Sequence, residues 1–273
     1  MGYMVVRGEK THRVFLDEIS VLLIENPAVA LTGCLLEALV EKKVRVIFCD
    51  EKRSPFAELS PYHTAYDSTR KIRMQNGWDE DIRGAVWSAI VSEKIRNQSE
   101  FLRELEKERE AGLLSSYLGQ VEKYDASNRE GHAAKVYFNA LFGMEFTRSA
   151  DNPINAALNY GYGLILSAFN REIAATGYLT QIGLFHTNVF NPYNLSCDLM
   201  EPYRALVDRR VLKGAPTVFG KEEKHALLGI LHEEVWIAHT TQTVLNSIKI
   251  YCRSVFEALN EGDASKISFY ERL

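Results

Sequence analysis

The sequence predicts an α+β protein: a small N-terminal β-rich domain followed by a larger all-α C-terminal domain. Two observations carry that reading. Before residue 50, apolar residues come in short runs rich in Val, Ile and Phe, bounded by charged residues or turns. After residue 80 they recur at intervals of three and four over long stretches.

The runs at 3–7, 13–16, 19–24 and 44–49 read as strands. Between the last two, residues 28–42 carry Leu31, Cys34, Leu35, Ala38 and Leu39 at helical spacing, which predicts one helix lying on the sheet. The charged cluster from Asp50 to Arg53 and then Pro55 ends this unit. The expected domains are therefore 1–60, a linker at 61–66, and 67–273. In the second domain, 82–96, 98–107, 131–141, 154–176 and 235–259 all show helical periodicity. Pro153 stands just before Ile154, a favoured helix start. Asn191-Pro192 and Lys213-Gly214-Ala215-Pro216 read as turns.

A chain of 273 residues with a 46% apolar share and 25% charged residues is able to bury a real core. The first residues do not resemble a secretory leader, and no apolar run is long enough to span a bilayer. The four cysteines lie far apart without a Cys-x-x-Cys pair, which argues against a zinc ribbon or disulfide scaffold and predicts a reducing, cytoplasmic setting. The net charge of −4 speaks against nucleic acid at first sight. The acidic excess is uneven, however: it is concentrated in 76–120, whereas 121–220 is balanced and can still present a basic face.

Three segments concentrate chemistry. They are Asn128-Arg129-Glu130-Gly131-His132, Gly183-Leu184-Phe185-His186-Thr187-Asn188 and Asp198-Leu199-Met200-Glu201-Pro202-Tyr203-Arg204. Each sets a potential metal ligand beside apolar residues, where a charge is costly unless paired or metal-bound. Two carboxylates and an imidazole suit Mg²⁺ or Mn²⁺ better than a closed zinc site. Blander roles exist for each. Glu130 could serve a helix dipole, His186 could be a half-buried loop histidine, and Glu201 with Arg204 could form a surface ion pair.

Taken in order, the segments resemble the large subunit of the CRISPR adaptation integrase, particularly the type II form. The likeness runs from Arg129-Glu130-Gly131-His132 into Tyr137-Phe138-Asn139-Ala140-Leu141-Phe142-Gly143. It continues through Asn152-Pro153-Ile154-Asn155-Ala156-Ala157-Leu158-Asn159-Tyr160-Gly161-Tyr162 and His186 to the Asp198–Arg204 segment. Val46-Ile47-Phe48-Cys49-Asp50 and Asn97-Gln98-Ser99 extend it over nearly the whole chain.

The resemblance implies that Glu130, His186 and Glu201 bind Mg²⁺ or Mn²⁺, that Asp198 supports the site or a second ion, and that Arg204 meets a phosphate. It makes Tyr162 and Asn159 candidates for lining the DNA pocket, and Arg70, Lys71 and Arg73 candidates for phosphate contacts. It further implies a metal-dependent DNA endonuclease and integrase in which the 3′-hydroxyl of a short DNA fragment attacks a phosphodiester at the edge of a CRISPR repeat. The expected partners are a duplex with single-stranded ends, a second copy of the chain in a homodimer, and a small ferredoxin-like adaptation protein. Family members open with an extra strand hairpin bearing a Trp-Arg pair, whereas this sequence starts at Met1-Gly2-Tyr3. That difference predicts an exposed sheet edge where relatives make dimer contacts.

Two rival functions stand beside this one. One is a DNA-binding scaffold of the same fold without chemistry, and the other a metal hydrolase of small phosphate esters, which the acidic net charge favours. Two bland features complete the reading. His225, His232 and His239 recur every seven residues and would form a stripe on one continuous helix, but Trp236 stands where a His-Glu-x-x-His site needs its second histidine. Lys10, His12 and Arg13 form a small basic group of less promise.

Overall fold

The structure is a computed structural model that describes residues 2–8, 10–51, 55–59 and 67–272. It divides into two compact units, Met1–Tyr66 and Asp67–Leu273. The expected linker at 61–66 lies outside the described residues.

In the first unit, β1 (Tyr3–Arg7) and β2 (Thr11–Phe15) form an antiparallel pair. β3 (Val21–Ile24), α1 (Gly33–Glu41) and β4 (Arg45–Cys49) make a parallel strand pair with a helical crossover. β5 (Pro55–Leu59) then adds to β4 in the antiparallel sense. Met4, Leu16, Leu39, Val44 and Val46 form the core. α1 is shorter than the spacing predicts. Its start is set by Thr32, whose side chain accepts the N–H of Leu35. β5 was not expected, because Pro55 reads as a breaker. A proline is tolerated at the first residue of a strand, where it occurs here.

The second unit holds α2 (Ser68–Asn76), α3 (Glu80–Glu104), α4 (Glu108–Tyr117), α5 (Arg129–Phe142), α6 (Pro153–Thr176), α7 (Asn194–Leu199), α8 (Arg204–Gly214) and α9 (Lys221–Leu228). β6 (Glu234–Ile237), β7 (Thr240–Thr243), α10 (Val244–Glu261) and β8 (Glu271–Arg272) complete it. The two helices expected at 82–96 and 98–107 are one helix, α3, capped by the Asp79 carboxylate on the Asp81 N–H at 2.7 Å. α3 contacts α4, α5, α8 and α10, so it is buried on most sides and sits at the centre of the unit. Among the described residues no helix is long and apolar enough to cross a membrane, and all four cysteines are free.

The helix expected at 235–259 is corrected at its start. Val235 and Ile237 are buried while Glu234 and Trp236 are exposed, a period of two that belongs to a strand. Ala238 and His239 both have positive φ and turn the chain into β7, a two-residue hairpin. Thr243 then caps α10 by accepting the Asn246 N–H. His225, His232 and His239 consequently lie on a helix, a 3-10 turn and a hairpin turn, and make no stripe.

α6 and α8 approach closely where Gly161 faces Val207. A Cβ at Gly161 would enter the Val207 side chain. Gly161→Ala is therefore expected to destabilise the protein by about 1–3 kcal/mol through overpacking. That is a fall of several degrees in Tm, readable by calorimetry, and an unchanged Tm would show that the helices can part freely.

Candidate active site

Glu130 stands in the first turn of α5, a helix that opens from a left-handed residue, Asn128. The turn is held by the buried carboxylate of Asp125, which accepts the N–H groups of Arg129 at 2.8 Å and Glu130 at 2.9 Å. Glu201 lies in the single 3-10 turn between α7 and α8, with Pro202 stiffening its C-terminal side. Lys94, mid-way along α3, reaches both acids. Its Nζ donates to a Glu130 oxygen and, at 2.5 Å, to Oε2 of Glu201. The other Glu201 oxygen accepts Nε of Arg204 at 2.9 Å.

These groups line a cleft of about 170 Å³ together with Arg148, Tyr162 and Asp208. It meets solvent through Glu130, whose side chain is 33% exposed, while that of Glu201 is 7% exposed. Burial would push the Glu201 carboxyl up, but Arg204 and Lys94 outweigh it and hold the group at about 2. Burial likewise opposes the Lys94 charge, and the two carboxylates beside it overcome that and raise its pKa. Arg148 and Arg204 both lie over the ring of Tyr162, at 5.4 and 4.7 Å from its centroid. The Tyr162 hydroxyl donates to Asp208, which also accepts the Tyr137 hydroxyl at 3.0 Å. Burial raises the Asp208 carboxyl to about 6.

His186 sits on the loop before α7, and Asp198 organises that loop. The fully buried Asp198 accepts the N–H groups of Leu184 at 2.6 Å, Phe185 at 3.1 Å and His186 at 3.2 Å. Its Oδ1 also lies 2.5 Å from Nδ1 of His186. Only glycine fits at 183, where a Cβ would come within 2.7 Å of the same carboxylate. With Nδ1 engaged, Nε2 is the nitrogen that His186 has available. The hydrogen bond that His186 Nδ1 donates to Asp198 raises the imidazole above its ordinary value of 6.5, against partial desolvation. On α3, Trp87 supports the ring edge-on at 5.9 Å and stacks flat on Phe185 at 4.7 Å.

The structure thus brings Glu130, Glu201, Arg204 and Tyr162 into one cleft. Among the described residues no three His, Cys, Asp or Glu side chains converge on one point, and His186 does not line this cleft. Asp198, expected to support the site or a second ion, directs its oxygens at the loop that carries His186. Asn159 is exposed and accepts Nη2 of Arg148 at 2.7 Å. Arg70 and Arg73 are exposed on α2, while Lys71 pairs with Asp67 at 3.4 Å, and none of the three lines the cleft. Lys94, Arg148, Asp208 and Asp125 were not singled out from sequence. The available signal was a lysine amid the apolar face of α3, between Val91, Ile95 and Gln98.

Lys94→Met removes one of two cations from a buried carboxylate, so a loss of about 3–5 kcal/mol at neutral pH is expected. Glu201 is depressed in the folded state, so its contribution is present above 4.5 and disappears as pH falls towards 2. Denaturant melts should therefore show wild type and variant converging in acid. Parallel curves at every pH would refute the assignment of that stability to Glu201.

The family described as CRISPR associated protein Cas1 matches residues 3–217. A relative from Neisseria meningitidis serogroup C (strain 8013), named CRISPR-associated endonuclease Cas1, is 32% identical over 275 residues, covering 99% of this chain and 90% of its own. Among solved structures, a CAS1 protein from Thermotoga maritima aligns with a TM-score of 0.77 at 18% identity, covering 96% of this chain and 93% of that one. A casposase bound to integration product aligns with a TM-score of 0.76 at 19% identity, covering 94% and 84%. At such identities these two likenesses speak for the fold alone, whereas the sequence matches reach further: the chain belongs to the Cas1 family of CRISPR-associated proteins.

Proposed function

We propose that the chain is a metal-dependent DNA endonuclease and integrase that inserts short DNA fragments into a CRISPR array. The observation that carries this reading is the convergence of Glu130 and Glu201 on one cation, the Lys94 ammonium, beside two guanidiniums backed by Tyr162. Two carboxylates that already share a positive charge are suited to a hard divalent ion. His186 adds the support expected of a ligating imidazole, since its Nδ1 is fixed by a carboxylate and Nε2 is left for the ion. Glu130, Glu201 and His186 would hold Mg²⁺ or Mn²⁺. Such an ion supplies charge stabilisation to the attacking and leaving oxygens of a phosphodiester.

The chain's own residues bind and orient. Arg204 and Arg148 offer fixed cationic planes to phosphate oxygens, and Asp125 and Asp198 keep Glu130 and His186 from wandering. The reaction is a transesterification. A fragment's 3′-hydroxyl oxygen bonds to phosphorus at the repeat edge as the bond to the departing 3′-oxygen breaks; the attacking hydroxyl gives its proton to solvent and the departing oxygen takes one up from it. A related structure, a Cas6-RT-Cas1–Cas2 complex, supports a further adaptation protein as partner, and a second copy of the chain is part of the same proposal. Arg70, Lys71 and Arg73 add sequence-independent phosphate contacts outside the cleft.

Glu130→Ala, His186→Ala and Glu201→Ala should each abolish integration of a short duplex into a repeat-bearing plasmid with Mn²⁺, with circular dichroism unchanged. Full activity in any one removes that residue from the site. Across a salt series, DNA affinity should fall steeply, as a hydrolase of small phosphate esters would not show. Asp198 favours the proton on His186, and that proton competes with the ion, so the rate should rise with pH and the midpoint should fall as Mn²⁺ is increased. Asp198→Asn should move that midpoint down, and an unmoved midpoint would detach His186 from the rate.

A further inference from the structure

Phe190 is the most exposed large hydrophobic side chain among the described residues, at 92%, and its neighbour Val189 is 88% exposed. They crown the loop that carries His186, and the loop is built to be stiff. The Asn188 side chain accepts the Phe190 N–H at 2.9 Å, and its carbonyl accepts the Asn191 N–H at 3.0 Å and the Asn194 amide at 2.9 Å. Asn191 in turn accepts the Tyr193 N–H at 3.0 Å. An aromatic ring is therefore displayed to water on a hydrogen-bonded scaffold anchored at one end by Asp198 and His186.

Residues 182–197 contain no Lys, Arg, Asp or Glu, so beyond His186 this loop offers a phosphate no cation. The exposed apolar area of Phe190 and Val189, roughly 300 Å², is well below the ~800 Å² per partner that a stable protein interface buries. It does match the face of one or two nucleobases. Four residues of chain limit the distance from His186 to Phe190 to about 14 Å, no more than about four base steps along a strand.

We propose that Phe190, flanked by Val189, is a stacking platform for an unpaired base of the DNA, within a few nucleotides of the phosphodiester presented to His186. This rests on the DNA-acting function and specifies how the substrate's single-stranded end is held. Stacking on a neutral ring is tolerant of sequence and adds affinity without adding counterion release.

The test uses the full chain and two duplexes in chelated buffer. One is fully paired and the other carries an unpaired 2-aminopurine two nucleotides from a 3′ end. The wild type should quench the unpaired probe. Phe190→Ala should lose the quenching and bind the frayed duplex about tenfold more weakly, with affinity for the paired duplex and the slope of log affinity against log salt unchanged. Phe190→Trp should restore both losses, and Arg148→Ala should instead lower the slope by about one. Equal quenching by wild type and Phe190→Ala overturns the proposal. So does a Phe190→Ala that binds both duplexes normally but loses association with the small adaptation protein. A wild type that binds neither duplex overturns the DNA reading itself, and the platform with it.

Discussion

Everything at the centre of the larger unit is arranged around one ammonium held between two carboxylates. Glu201 is buried and ionised, a state that desolvation opposes and that Arg204 and Lys94 sustain. Such a group constrains its neighbours strongly. α3 must present Lys94 inward, α5 must start where Asp125 can catch its first amides, and the turn before α8 must place Glu201 and Arg204 on the same side. Moving any of these elements by the width of a side chain leaves a buried charge uncompensated. The same balance makes the cleft ready for an ion, because two acids that tolerate a shared positive charge have their desolvation already met.

Asp198 performs a parallel task for His186. One carboxylate takes three backbone N–H groups and the imidazole, so loop shape and ring orientation are decided together. The flat stack of Phe185 on Trp87 ties that loop to α3, the helix that also carries Lys94. His186 and the two glutamates are thus referred to one rigid element although His186 does not line their cleft. On Tyr162, a ring backed by Asp208 through its hydroxyl supports two guanidiniums, which places fixed positive charge at the cleft of a chain whose net charge is negative. Local charge geometry, rather than net charge, is what an approaching phosphate meets.

Periodicity revealed most of the architecture. The strand-rich start, the long helices α5 and α6, and the turns around Pro192 and Pro216 follow from spacing and from local breakers. It failed where two periods compete. The segment at 235–243 contains apolar residues that fit a helix or a strand, and two left-handed residues in the turn, neither of them glycine, decided for the strand. It failed again at 96–98, where α3 runs on without a break and Arg96, Glu100 and Arg103 continue one narrow exposed stripe of a helix otherwise mostly buried.

The sequence by itself determined the division into a strand-rich and a helical part, and it marked Glu130, His186, Glu201 and Arg204 as residues whose surroundings demand a partner. Only the tertiary structure decided who the partners are. Lys94 lies 36 residues from Glu130 and 107 from Glu201, and nothing local records that the three meet. Asp198, read as an acid that supports the site or a second ion, is turned to the loop it organises, where its oxygens accept three backbone N–H groups and face the His186 ring. Chain neighbours set spacing and propensity; the pairing of buried charges is settled by packing between helices distant in sequence, where desolvation leaves a single arrangement in which each charge is met.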